Sequence, residues 1–97
     1  MDRTNPKTFG EMWSEFIASS PTIRRKIAEG RVPMVWPEAV GERIASLTGA
    51  MVLRNGVLQV TMDSSAAGHD LSMRRRTVAA RLNELLGVEV IKNLIIR

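Results

Sequence analysis

Apolar and polar residues alternate on both sides of Asn55-Gly56, the residue pair that two-residue type I′ turns prefer. A two-residue loop at this point pairs Leu53 with Leu58, and cross-strand partners share one face of a hairpin. One face is then wholly apolar: Met51, Leu53, Leu58 and Val60. The other face is mixed: Val52, Arg54, Val57, Gln59 and Thr61. The pattern predicts a β-hairpin that packs its apolar face against a core.

Helical spacing predicts three helices before this hairpin. Thr8 and Glu11 have the spacing of a capping box ahead of the first helix, which ends at the Ser-Ser-Pro of residues 19–21. Pro21 can open a second, short helix, for which Gly30 supplies the C-terminal stop. A third helix is indicated by apolar residues at positions i, i+4, i+8 and i+11: Trp36, Val40, Ile44 and Leu47.

The start of the third helix has two readings. Pro37 fits in its first turn, and the alternative is a kinked helix that begins nearer Pro33. Gly41 falls in the interior of either helix, where glycine costs about 1 kcal/mol relative to alanine. We therefore expect close packing against another backbone at Gly41.

The residues after the hairpin predict a long helix and a last strand. The helix runs from about Ala66 to Leu86 and stops at Gly87, after a serine-rich segment that supplies N-cap residues. The segment VEVIKNLIIR, residues 88–97, then reads as a third strand, and a helical crossover makes it parallel to the second. The predicted order αααββαβ belongs to the α+β class, and the place of the third strand in the sheet stays open.

Composition limits the chemistry that this chain can perform. Its 97 residues allow one domain, and it has no cysteine and a single histidine, so neither a disulfide nor a metal site is specified. His69 lies near Ser64, Ser65 and Asp70, but adjacent helical positions point apart and form no catalytic chain. No apolar run approaches the ~20 residues of a membrane span, and no signal peptide is visible. We expect a cytoplasmic protein without cofactor or enzymatic activity.

Positive charge is concentrated in two short windows. The chain has a net charge of +4 and a pI near 10.7, which favours an anionic partner. Residues 22–31 and 70–81 together hold eight arginines and lysines against two carboxylates, Glu29 and Asp70. Most of the basic character therefore comes from these windows, as a binding patch requires.

A continuous helix over residues 66–86 distributes its arginines over several faces. Counted at 100° per residue from Leu71, Arg74 and Arg81 fall on one flank of the apolar face, Arg76 falls on the far flank and Arg75 inside the apolar sector. One interpretation is a two-point contact of Arg74 and Arg81 to phosphates, joined by three further cations: Arg24, Arg25 and Lys26. The other is a solvated helix edge whose arginine stems cover the core.

The residues from Trp36 onward closely resemble the DciA-like family, long called a domain of unknown function. The resemblance is carried by a tryptophan, a valine-glycine step, an Asn-Gly hairpin, an aspartate-serine pair and an Arg-Leu-Asn motif before a leucine-glycine helix end. In this sequence the pattern comprises Trp36, Val40, Gly41, Ala45, Thr48, Asn55, Gly56, Val57, Leu58, Val60, Asp63, Ser64, Leu71, Arg81, Leu82, Asn83, Leu86 and Gly87. The residues before Trp36 look like the short form of the family.

The resemblance implies a KH-like αββαβ core over residues 32–97, preceded by an N-terminal helical segment over residues 1–31, in one folded unit. It also implies a non-enzymatic protein that binds single-stranded or forked DNA and assists the replicative helicase DnaB. DNA is the expected partner rather than RNA, although the sequence leaves the preference between them open. Two departures concern binding: Ala67 stands where the family commonly has an aromatic residue, and the Gly-x-x-Gly loop of KH domains is absent. Any binding would then rely on the arginines.

Two hypotheses about function remain. The first is a nucleic-acid-binding accessory protein that uses Arg74, Arg81, Arg24, Arg25 and Lys26. The second is a protein-interaction module without nucleic-acid binding. Neither involves a membrane or a small-molecule substrate, and we expect structural roles for six further residues: Trp36, Gly41, Asn55, Gly56, Leu71 and Leu82.

Overall fold

The computed structural model describes residues 6–97, with side chains from residue 10 onward except at 17 and 18. Eight elements follow one another in this range: α1 (Pro6–Ser19), α2 (Pro21–Val40), α3 (Glu42–Ser46), β1 (Thr48–Arg54), β2 (Val57–Met62), α4 (Ser65–Met73), α5 (Arg75–Leu86) and β3 (Asn93–Ile96). The α+β class is therefore confirmed. Thr8 lies within α1, so the predicted helix start at that residue is wrong.

The hairpin forms with the predicted turn and register. Asn55 and Gly56 have φ angles of 52° and 84°, the positive values that a type I′ turn requires at both positions. Leu53 pairs with Leu58 and Met51 with Val60, and the register shifts only before Met51. The apolar face of β1 and β2 consequently points into the core, as the alternation predicts.

β3 completes a three-stranded sheet in the order β1-β2-β3. It runs parallel to β2, with Leu58 opposite Leu94 and Val60 opposite Ile96, which confirms the predicted direction. β3 is shorter than predicted because residues 88–92 form no strand. The open question of its position is thereby answered: β3 lies beside β2, which becomes the central strand.

Ile44 of the predicted third helix lies in the separate helix α3, but the first part of that predicted helix and the predicted second helix are one helix, α2. Gly30 does not stop it, and Pro33 and Pro37 lie in its interior. The physical reason is a buried stripe that begins before Gly30 and continues past both prolines: Ala28, Val32, Val35, Trp36 and Val40. Burying these five side chains outweighs the roughly 1 kcal/mol that an interior glycine costs and the backbone hydrogen bonds that the prolines remove. The predicted helix start at Pro21 is correct, and the Ser20 hydroxyl accepts from Ile23 N at 3.3 Å.

Gly41 ends α2 instead of lying inside a helix. Its φ and ψ of 94° and 152° fall in a region that only glycine occupies readily. The expected close packing is wrong, because a Cβ atom built at Gly41 meets no atom within 4 Å. Backbone conformation alone therefore explains this glycine.

The predicted long helix over residues 66–86 is interrupted at Arg74, whose φ and ψ are −107° and 13°. The two resulting helices pack differently: α4 contacts β2 and β3, whereas α5 lies mainly against α2 and β3. Leu71 on α4 and Leu82 on α5 are both fully buried. The end of α5 is as predicted, since Gly87 adopts the left-handed conformation with a φ of 77°.

The core fills the space between the sheet and its helices. Fourteen buried side chains form one cluster: Ala28, Val32, Val35, Trp36, Val40, Leu58, Val60, Leu71, Val78, Leu82, Leu86, Val90, Ile91 and Leu94. Trp36 Nε1 donates to Thr48 Oγ1 at 2.9 Å, which satisfies the buried indole and fixes α2 against the start of β1. α2 is continuous across residues 31 and 32, where the sequence suggested a boundary. None of the helices in residues 6–97 has the length and apolar character that crossing a membrane requires.

Gly30 inside α2 and Gly41 directly after it generate predictions of opposite sign. Gly30→Ala should raise the free energy of unfolding by roughly 0.5–1 kcal/mol, because Gly30 is helical and a methyl group there meets open space. Gly41→Ala should lower it by about 1–3 kcal/mol, because alanine disfavours the Gly41 conformation. Urea unfolding followed by circular dichroism measures both. Destabilisation by Gly30→Ala would contradict the continuous helix.

Candidate nucleic-acid interface

A concavity of about 700 Å³ lies between the first half of α2 and the hairpin turn. Four cations line it: Arg25 and Lys26 from α2, Arg54 from the end of β1 and Lys92 from the segment before β3. The only carboxylate among its lining residues is that of Glu29. We call this concavity the basic cleft.

The hairpin turn holds Lys92 at the cleft. The carbonyl oxygen of Gly56 accepts from Lys92 N at 2.7 Å and from Asn93 N at 3.2 Å. The aliphatic stem of Lys92 approaches so closely that a Cβ atom built at Gly56 would lie 3.0 Å from two of its carbons. Gly56 therefore supplies the positive φ of the turn and also leaves room for the stem of Lys92.

Asn83 of α5 fixes the segment that leads to Lys92. Its Oδ1 accepts from Val90 N and Ile91 N, both at 2.8 Å, and its Nδ2 donates to Ile91 O at 2.9 Å. These bonds satisfy backbone groups that no strand or helix pairs, next to two buried apolar side chains. The start of β3 is thus held between α5 and the hairpin turn.

The cleft keeps most of its positive charge. Lys26 Nζ lies 3.7 Å from Glu29 Oε1, an exposed contact that stabilises little. Within the described part of the chain, no carboxylate forms a salt bridge with Arg25, Arg54 or Lys92. All four cations are exposed. Three cations of three different segments thus face one concavity without a neutralising partner there.

Arg74 and Arg81 have carboxylate neighbours. Arg74 Nη2 lies 3.0 Å from Asp70 Oδ2, and Arg81 pairs with Glu84 of the same helix and with Glu38 of α2, the latter at 3.8 Å. Their predicted alignment on one flank assumed an unbroken helix, and the break at Arg74 removes that basis. Arg75, expected in the apolar sector, is exposed at the first position of α5.

The predicted nucleic-acid-binding residues thus lie in three places. Arg25 and Lys26 line the basic cleft, Arg74 lies at the α4–α5 break with Arg81 within α5, and Arg24 lies on another side of α2. There Arg24 borders a smaller concavity of about 180 Å³ with Arg31, beside the end of α5. The five cations do not form a single surface.

His69 is exposed and borders an open concavity with Ser64 and Ser65. Ser64 Oγ accepts from Ala67 N at 3.2 Å, so this hydroxyl serves as the N-cap of α4. Across the residues that the structure describes, no three His, Asp or Glu side chains are grouped as metal ligands would be.

Comparison with known proteins identifies the family of this chain. The family model described as "Dna[CI] antecedent, DciA" matches residues 8–96. The chain belongs to the DciA family. The match includes every residue of the basic cleft, and it confirms the resemblance that the sequence pattern indicated.

Three relatives illustrate the DciA match. A UPF0232 protein of Rhodococcus jostii is 33% identical over 93 residues, which are 96% of this chain and 49% of that protein. A UPF0232 protein in the recF-gyrB intergenic region of Mycolicibacterium smegmatis is 30% identical over 96% of this chain and 47% of that protein. A UPF0232 protein of Mycobacterium leprae is also 30% identical, with shares of 96% and 49%. The chain spans about half the length of these curated relatives.

Three residues of this DciA-family site were not among the predicted site residues. Arg54 lies on the mixed face of the hairpin, and Lys92 lies in the predicted last strand, but neither is in a charge-rich window. Asn83 belongs to the Arg-Leu-Asn motif, whose role the pattern did not explain. Its partners lie seven and eight residues away in a segment without regular structure, so no local rule could reveal them.

Asn83→Ala should destabilise the fold by roughly 3 kcal/mol, because it leaves two part-buried amides and a carbonyl without partners. Thermal and urea unfolding measure the loss. Thr77→Ala, at an exposed position of the same helix, is the control and should change stability by less than about 0.5 kcal/mol. Equal effects of the two substitutions would refute the role given to Asn83.

Proposed function

We propose that this DciA-family chain binds single-stranded or forked DNA through the basic cleft and assists the replicative helicase DnaB. The observation that carries the proposal is the convergence of Arg25, Lys26, Arg54 and Lys92 on one concavity. The family match supports the helicase part, since the DciA family is associated with loading of DnaB. We further propose that the chain acts in the cytoplasm, without catalysis and without a cofactor.

The chemistry of the cleft suits a phosphodiester backbone. Arginine and lysine side chains contact phosphate oxygens with charge-assisted hydrogen bonds, and neutralised phosphates release counterions. The residues that line the cleft include no aromatic ring, so bases have no stacking platform there. Binding should accordingly depend on phosphate contacts and show little preference for sequence.

The KH-like description of residues 32–97 is part of this proposal. The order helix, hairpin, helices and parallel strand over α2 to β3 is consistent with it. The Gly-x-x-Gly loop with which KH domains clamp a nucleic-acid backbone is absent from the sequence. In its place we propose the cations of the cleft, with Arg24, Arg74 and Arg81 as secondary candidates.

Arg54→Ala combined with Lys92→Ala should weaken the binding of labelled single-stranded oligothymidylate roughly tenfold at low salt. Because each phosphate contact contributes about 0.7 to the log–log salt slope for single strands, the slope should fall by about 1.4. Fluorescence anisotropy titrations over a salt series measure both quantities.

Arg75→Ala with Arg76→Ala is the matched control, since it removes two exposed charges outside the cleft. It should leave both quantities close to those of the unmodified chain. Arg74→Ala with Arg81→Ala should have an intermediate effect, because carboxylates already neighbour both arginines. Equal losses in the cleft variant and the control would refute a specific role for the cleft, and an absence of binding would refute the function.

The second candidate function is a protein-interaction module without nucleic-acid binding. The outer face of the sheet favours it: Val52 is exposed there, and Val52, Arg54, Val57 and Gln59 line a concavity of about 300 Å³. This face lies opposite the one that the helices cover, so it is available to a partner protein.

Retention of this chain on purified, immobilised DnaB-type helicase distinguishes the two functions. It is measured once with added forked DNA and once after nuclease treatment without added DNA. Under the leading proposal, forked DNA should raise the retention of this chain, and the Arg54→Ala/Lys92→Ala variant should lose that increase. Under the second, retention should be insensitive to nuclease and should fall when Val52→Glu places a charge on the outer face. If neither forked DNA nor Val52→Glu changes the retention of the chain, both functions are contradicted.

A further inference from the structure

α1 presents an apolar face to solvent. Met12, Trp13 and Phe16 are exposed by 62%, 57% and 53%, and the rings of Trp13 and Phe16 stack with centroids 5.7 Å apart. Glu11 and Glu15 are exposed on the same helix. An apolar patch rimmed by charge is typical of a protein contact surface.

The chain cannot cover this face by folding α1 back onto its own α2. A single residue, Ser20, separates the two helices, whereas antiparallel helix pairs need a loop of about 2–5 residues. Ser20 N donates to Phe16 O at 3.1 Å, and Arg24 N donates to Ser20 O at 2.9 Å, so the hydrogen bonding is nearly continuous. The molecule is accordingly 64 Å long but only 22 and 19 Å across.

A complementary groove lies along the first half of α2. Ile27, which is 49% exposed, and Val88 form its apolar floor together with parts of Ala28 and Leu86. Arg24 and Arg31 border it, seven residues and therefore about 10 Å apart along the helix. An apolar floor between two arginines matches an apolar helix face that carries two glutamates. We call this feature the α2 groove.

We propose that the α2 groove is the docking site for α1 of a second copy of this chain, in a reciprocal antiparallel dimer. Trp13 lies seven residues before Ser20, and Ile27 lies seven residues after it. A twofold axis near Ser20 therefore brings Trp13 of each copy level with Ile27 of the other. Glu15 then faces the start of α2, where Arg24 lies.

Symmetry favours a second copy over an unrelated partner. Helix and groove belong to the same chain, so one twofold axis satisfies both patches of both copies and closes the assembly. The apolar side chains of α1 offer roughly 300 Å² in each copy. Two reciprocal contacts then bury on the order of 1,200 Å², the lower end of the range for specific interfaces.

The dimer leaves the basic cleft free. Arg25 and Lys26 point to the cleft, whereas Arg24, Ile27 and Arg31 border the groove on the other side of α2. Dimerisation therefore does not depend on the proposed DNA binding, and either can fail without the other.

Sedimentation velocity over a micromolar concentration series, without DNA, tests the dimer. The unmodified chain should form dimers, and Trp13→Ala with Phe16→Ala should be monomeric. Met73→Ala, another exposed apolar residue outside both surfaces, is the matched control and should still form dimers. A monomeric unmodified chain, or a Trp13/Phe16 variant that still forms dimers, would overturn the proposal.

Charge reversal tests the pairing without relying on apolar truncation. Glu11→Arg with Glu15→Arg should prevent self-association, and so should Arg24→Glu with Arg31→Glu, because each places like charges at both contacts. An equimolar mixture of these two variants should form a heterodimer, since the reversed α1 of one variant then meets the reversed groove of the other, and the native α1 meets the native groove. If the mixture stays monomeric, the assignment of α1 to the α2 groove is wrong.

Discussion

Two hydrogen bonds to one carbonyl oxygen join the halves of this fold. Gly56 O accepts from the successive amides of Lys92 and Asn93, which places the start of β3 at the hairpin turn. The parallel pairing of β3 with β2 begins at the same point, with Asn93 opposite Val57. A parallel strand needs a long connection, and the loss of chain entropy on closing it is compensated only if its arrival point is well defined. Here the turn itself supplies that point.

The arrival of β3 also determines the candidate site. Arg54 and Lys92 are 38 positions apart in sequence, yet they line one concavity because the hairpin turn and the start of β3 are bonded together. Asn83 holds the preceding segment from the opposite side, so Lys92 is constrained by α5 as well as by Gly56. The same contacts that complete the sheet therefore create the cluster of positive charge.

The accuracy of the sequence-based predictions depended on the range of the interactions. The hairpin and its register follow from Asn55-Gly56 and the alternation beside it, and the end of α5 follows from Gly87; both are local signals. The continuity of α2 through Gly30 was missed, because it depends on burial against elements that are distant in sequence. The break at Arg74 was missed for a related reason: apolar spacing is compatible with one helix, and only the two packing surfaces show that there are two. The cleft combines segments that are distant in sequence, and no periodic pattern in the sequence indicates that they lie close together.

Counting charges along the sequence has the same limitation as predicting helices from local spacing: it cannot show which distant segments are in contact. It selected Arg74 and Arg81, but it could not show that Arg81 lies beside Glu38, a residue of another helix. It missed Arg54 and Lys92, which stand alone in sequence. Tertiary structure thus separates cations with carboxylate neighbours from cations without them, and it is the second group that can attract a polyanion strongly.

The unbroken α2 gives the N-terminal cations a fixed relation to the core. Had the helix stopped at Gly30, the only buried anchor of residues 21–29 would be Ala28. Because the helix continues to Val40, the stripe that includes Val32 and Trp36 fixes its rotation about its own axis. That rotation turns Arg25 and Lys26 toward the hairpin turn and Arg24 and Arg31 toward the end of α5. One rigid helix can in this way present two basic surfaces of different chemistry, an open cleft suited to phosphates and an apolar groove suited to an acidic helix.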